Sequence, residues 1–176
     1  GDPGNPSYDM AMDGVSCTVC HQIADDNLGT PQGTSGNFTI EEFTNPDNRP
    51  AYGSYTNPRI NPMQRQSGFT PKYGSHISDS ALCASCHDLT TPILDGDGNL
   101  VSTTPDTEFP EQMIYSEWEN SVYAGDGDEA ETCQTCHLAL THGVKISNRP
   151  RNLASRDNFS RHTFYGGNTL MLDILD

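Results

Sequence analysis

The sequence predicts a mainly α fold with extensive irregular loops and little β. Three observations carry that expectation. All six cysteines fall in three copies of one five-residue frame, C-T-V-C-H at 17–21, C-A-S-C-H at 83–87 and C-Q-T-C-H at 133–137, and a C-x-x-C spacing brings both sulfurs to one face of a helical turn. The segment P-E-Q-M-I-Y-S-E-W-E-N-S-V-Y-A-G has Pro110 at its start, Glu111 in its first turn and Gly125 just past its end, the pattern of an ordinary helix. Elsewhere the chain is rich in Gly, Pro, Asn, Ser and Thr, and strand-like pieces are few.

In chain order, residues 1–15 are expected to form an irregular arm leading into the first frame. From about 27 to 75 only N-F-T-I and A-Y-G-S-Y read as strand-like. A helix is expected over 81–89, with Ser78 or Ser80 as its N-cap. The stretch I-L-D-G-D-G-N-L-V then reads as a β-hairpin. Asp95, Asp97 and Asn99 alternate as in a calcium loop, but Leu100 stands at the sixth place, where Gly is required, and Asp106 rather than Glu at the twelfth. In the helix expected at 110–125, Met113 or Ile114, Trp118 and Val122 recur on one face, so the single Trp is expected to face the core or a cofactor. The acidic D-G-D-E-A-E leads into the third frame. The closing N-T-L-M-L-D-I-L-D offers Asn168 as an N-cap and Leu170, Met171, Ile174 and Leu175 as an apolar face, then stops without a C-cap, as in a fragment of a longer protein. The frames are unevenly spaced and are not tandem repeats; residues 1–176 are expected to form a single domain, either whole or excised from a longer chain.

Composition sets a problem. Hydrophobic residues make up 33% of the chain, against roughly 45–50% in typical soluble domains. So little apolar surface does not offset the entropy of ordering a chain, and something other than side chains must supply it. The formal charge of −15, from 24 acidic and 9 basic residues, argues against nucleic acid and anionic membranes as partners, since both need clustered Lys and Arg. It suits solubility outside the cell and attraction to basic partners. No apolar run is long enough to span a membrane, so an integral membrane protein is not expected.

Four chemistries compete for C-x-x-C-H: structural zinc, thiol redox, disulfides and covalent haem. Zinc ribbons pair two C-x-x-C knuckles, so three leave one unmatched, and zinc gives no reason for a following His each time. A thioredoxin-like site expects one such pair on a strand-helix-strand unit, which the sequence does not suggest. Disulfides do not explain the recurring histidine. Haem accounts for all nine residues: Cys17, Cys20, Cys83, Cys86, Cys133 and Cys136 as thioether donors, and His21, His87 and His137 as proximal iron ligands. Three porphyrins would also supply the missing apolar faces.

Three histidines remain, His76, His142 and His162, one for each iron. That equality points to bis-histidine, low-spin iron at all three sites, which leaves no open position for substrate and suits electron transfer rather than catalysis. His76 precedes the second frame on a loop. His142 follows His137 too closely to reach around its own ring and is expected on another haem. His162 is flanked by aromatics in N-F-S-R-H-T-F-Y-G-G-N. The expected pairing is His76 with the first haem and His162 with the second. Met10, Met12, Met63, Met113 and Met171 are the alternatives.

Together, G-V-S-C-T-V-C-H-Q-I, S-A-L-C-A-S-C-H-D-L, F-P-E-Q-M-I-Y-S-E-W, C-Q-T-C-H and H-T-F-Y-G-G-N resemble bacterial multihaem c-type cytochromes over most of residues 14–170. The resemblance implies a wrap around three closely stacked haems, low-potential bis-His irons, a periplasmic or extracellular location, and a distal-ligand role for His162. Family members often have Met-Pro after the final haem histidine, where this chain has Leu138-Ala139. The function expected is electron transfer to redox proteins or extracellular acceptors. The alternatives are the electron-delivering part of a nitrite- or hydroxylamine-type enzyme, or a subunit of a cytochrome filament.

Overall fold

The computed structural model describes residues 3–9, 15–45, 48–101, 108–149 and 151–166. The closing helix expected from Asn168, and Met10, Met12, Asp106 and Met171, lie outside them. The chain divides into two compact units, one of Gly1–Ala24 and Thr39–Ile77, the other of Asp25–Phe38 and Ser78–Asp176.

The mainly α expectation is overturned. The described residues form five α-helices of four to eight residues and three two-stranded sheets, and neither class dominates. Three of the five carry a C-x-x-C-H frame, and a frame supplies little more than one turn.

In the first unit, α1 (Cys17–Cys20) is the first frame. Beyond it Ile23 bridges Ile40, and the Ala24 N–H donates to the Thr39 carbonyl at 2.9 Å. Strands β1 (Arg49–Gly53) and β2 (Phe69–Tyr73) pair in parallel, Arg49 opposite Phe69 through Gly53 opposite Tyr73. Parallel strands need a crossover, here α2 (Ile60–Ser67), which ends on Gly68 at φ 75° with its N–H on the Gln64 carbonyl. This strand-helix-strand unit was not expected from sequence, because prolines mask it. Pro62 sits in the first helical turn, where no N–H is needed. Pro50 and Pro71 are tolerated because both strands of a two-stranded sheet are edges. The unit carries no C-x-x-C, so it does not revive a thioredoxin-like site.

In the second unit, α3 (Ala81–His87) is the second frame and runs straight into β3 (Asp88–Thr91), so the helix expected over 81–89 ends two residues early. β3 pairs antiparallel with β4 (Phe109–Met113), with an irregularity between Leu89 and Thr90. The helix expected at 110–125 is therefore corrected: its first residues are strand, α4 covers only Ile114–Glu119, and a 3-10 turn follows at Val122–Ala124. The cause is Asp88, whose buried carboxylate accepts from Ser116 N–H at 3.0 Å and from the Ser116 hydroxyl, satisfying an orphan donor of the first turn of α4. The buried face is also different. Tyr115 is 8% exposed whereas Ile114 and Val122 are 52% and 62% exposed, and Trp118 stacks at 5.5 Å from Tyr115 and donates to the Glu131 carbonyl.

The hairpin at 93–101 is present: Leu94 bridges Leu100, and Asp95 accepts from Asp97 and Asn99, bonds from Asn99 above all holding its carboxyl below the usual range. α5 (Cys133–His137) is the third frame, capped by Thr132 on Thr135 N–H. Last, β5 (Leu140–Thr141) pairs antiparallel with β6 (Phe159–Ser160).

Gly29 gives a test of the second unit's packing. It sits at φ 69°, and a Cβ there would lie 2.8 Å from the Tyr115 hydroxyl and 3.0 Å from Ala81 Cβ. Gly29→Ala is expected to destabilise by about 1–3 kcal/mol in denaturant titration; an unchanged midpoint would contradict this packing.

Candidate cofactor site

The six cysteines are all thiols, joined by no disulfide; Cys17, Cys86 and Cys136 are exposed and Cys20, Cys83 and Cys133 half-buried. That exposure is unusual, since unpaired cysteine is among the most buried residue types.

His21 lies one residue past α1. Its Nδ1 is 2.5 Å from the Tyr52 carbonyl, and the Tyr52 N–H returns a bond to the His21 carbonyl at 2.7 Å. A carbonyl only accepts, so Nδ1 must carry the proton and Nε2 keeps its lone pair, the tautomer a metal ligand needs. The third frame repeats this arrangement. His137 Nδ1 bonds the Tyr165 carbonyl, and the Tyr165 N–H reaches the His137 carbonyl at 3.4 Å. His87, exposed at the end of α3, has no such partner among the described residues. Tyr52 and Tyr165 were missed in the sequence because they lie 31 and 28 residues from their histidines; both stand in Tyr-Gly pairs, the only local signal.

The second and third frames meet at their starts. Ser80, 1% exposed, occupies the N-cap position of α3 but does not cap it; Asp79 Oδ1 takes the Ala81 N–H instead. The Ser80 hydroxyl accepts the Cys133 N–H at 2.9 Å, and Gln134 Nε2 donates to the Asp79 carbonyl at 2.7 Å. The Cys83 and Cys133 side chains hydrogen-bond. That bond, helped by the Ser80 hydroxyl and the nearby His137, brings the Cys133 thiol down to about 6 against partial burial. Partial burial of its sulfur pushes the Cys86 thiol up, although the residue as a whole is exposed.

The remaining histidines are placed differently. His76 is buried in the first unit, with Nε2 2.9 Å from the Ile23 carbonyl and its ring edge-on to Tyr52 at 4.9 Å. Tyr52 and Ile23 thus bring it into the neighbourhood of the first frame. Its Nε2 proton is used on Ile23, and its Nδ1 faces Gly74, where a Cβ would stand 3.0 Å away. His142 is exposed beyond β5; its Nδ1 accepts from Asn158 N–H at 3.4 Å and lies 4.0 Å from Asp157. His162 follows β6 on the segment that returns beside the third frame, Arg161 N–H reaching the Ala139 carbonyl at 2.9 Å. Its ring stands edge-on to Phe164 at 6.0 Å. Phe164 is 65% exposed and sits at φ 46°, a strained conformation for a bulky residue.

Comparison with known proteins returns no match among family profiles, curated proteins or solved structures. Among the described residues, no helix is long and apolar enough to cross a membrane.

Proposed function

We propose that the chain carries three covalently attached c-type haems and transfers electrons, in the periplasm or outside the cell, to redox proteins or extracellular acceptors. The observation that supports this most is the recurrence, at the first and third frames, of two accessible thiols on one turn beside an imidazole anchored through Nδ1. The donor set fits: thioether formation needs reduced cysteines, and axial ligation needs an Nε2 lone pair. The scarcity of buried hydrophobic residues fits as well.

When bound, haem supplies a one-electron iron couple that the side chains lack. The chain's own residues then do three things. Cys17 and Cys20, Cys83 and Cys86, and Cys133 and Cys136 fix each ring to its frame. His21, His87 and His137 would each offer an imidazole to an iron, and the carbonyls of Tyr52 and Tyr165 hold two of the three rings in orientation and would raise their basicity. His76, His142 and His162 are the candidates for the second ligands, His76 beside the first frame; using its Nε2 would require it to release the Ile23 carbonyl.

The test is expression of the chain with a c-type haem attachment machinery. Three haems per chain by alkaline pyridine spectrum and intact mass, and a low-spin electron paramagnetic resonance spectrum, are the expected result. A chain that attaches none overturns the reading, and a spectrum dominated by high-spin iron overturns the bis-histidine part of it.

A further inference from the structure

We propose that Ser80 is a positioning residue that joins the second and third frames, so that the cofactors carried there form one closely coupled pair. The inference rests on the haem reading above but goes beyond it, since three C-x-x-C-H motifs in a sequence do not say which two are neighbours.

Two hydrogen bonds converge on this junction within the second unit. The hydroxyl of Ser80, almost fully buried, accepts the first N–H of α5 from Cys133. That N–H is an orphan donor of a helix start, and the residue that satisfies it stands 53 positions away, at the start of the other frame's helix. One residue on, Gln134 Nε2 donates to the Asp79 carbonyl. Both bonds lie at the starts of the two frame helices, so the junction sets α3 and α5 side by side at the ends that carry Cys83 and Cys133.

The local chemistry is specific to this role. A serine at the N-cap ordinarily spends its oxygen on its own helix. Here Asp79 takes over that duty on Ala81 N–H, which releases Ser80 to reach across. Replacing Ser80 by Ala would leave the part-buried Cys133 N–H without its acceptor and loosen the junction without touching any ligand or thiol. The first frame belongs to the other compact unit.

Circular dichroism in the Soret region of the haem-loaded chain tests this, because two closely placed haems give a bisignate couplet that one haem does not. The couplet is expected in the parent protein. It should survive Cys17→Ala/Cys20→Ala, which removes the first haem, and be lost in Cys133→Ala/Cys136→Ala. Ser80→Ala and Gln134→Ala, combined, should flatten it at unchanged haem content and thermal midpoint within a few degrees of the parent. A loaded chain with no couplet, or one whose couplet disappears with the first haem, overturns the pairing. A couplet unaffected by the Ser80→Ala/Gln134→Ala variant overturns the role of Ser80. A chain that attaches no haem at all overturns the haem reading, and the pairing falls with it.

Discussion

Replacing all six cysteines by alanine is expected to abolish cooperative unfolding. Near-ultraviolet circular dichroism and the thermal transition should both be lost, a loss of the whole folding free energy rather than a shift within it, on the scale of the roughly 5–15 kcal/mol typical of native domains. Hydrophobic burial is the dominant favourable term in folding, and the chain's own supply is small. Among the described residues the buried hydrophobics are Ile23, Ala24, Ala84, Tyr115 and Leu153, two of them alanines, while Val15, Leu94, Leu100, Val101, Val122 and Phe164 are more than half exposed. Isolated exposed apolar residues are normal; here they accompany a core too thin to offset the entropy of ordering the chain. The helices cannot compensate, since none of those described exceeds eight residues and isolated helices shorter than about 12–15 residues are marginal in water. The control is the haem-loaded parent, which should unfold cooperatively. A six-alanine chain with a transition like the parent's would show that the polypeptide holds its fold without the porphyrin faces.

What the sequence made legible was whatever is local. The frames, the hairpin at 93–101 and the start of the second frame helix at Ala81 follow from residues within a few positions of one another, and the structure has them. What it hid depends on distant residues. Nothing near Phe109–Met113 marks a strand: Pro110 reads as a helix start, and only Asp88, 28 residues before Ser116, moves the helix start onward to Ile114. Of the parallel pair, β1 was partly legible in A-Y-G-S-Y, whereas β2 was hidden by Pro71, which an edge strand tolerates. That is how short strands came to match short helices and the mainly α expectation failed. The candidate site divides the same way. Its thiols and adjacent histidines are contiguous and were readable, whereas the tyrosine carbonyls that orient His21 and His137, and the Ser80 bond to Cys133, are tertiary and carry no side-chain signature in the sequence.

The tyrosine carbonyls lead to the second large effect expected. Each of His21→Gly, His87→Gly and His137→Gly should leave its haem attached through two thioethers while converting one iron in three to a high-spin, carbon-monoxide-binding form, visible by paramagnetic resonance and optical spectra. Added imidazole should then restore the low-spin spectrum, but unequally. At the first and third frames the incoming ring finds the Tyr52 or Tyr165 carbonyl in place to take its second N–H, as the native histidine does. At the second frame no equivalent carbonyl faces His87 among the described residues. Outer hydrogen-bond partners of metal-bound histidine are worth about 10–100-fold in affinity, so imidazole should bind His87→Gly weaker than the other two variants by that factor. Titration of the three variants at one pH measures it directly. Equal affinities would mean that the carbonyls fix where the rings lie but contribute nothing to how firmly an imidazole is held, and a low-spin spectrum in any variant before imidazole is added would show that its glycine position never carried an axial ligand.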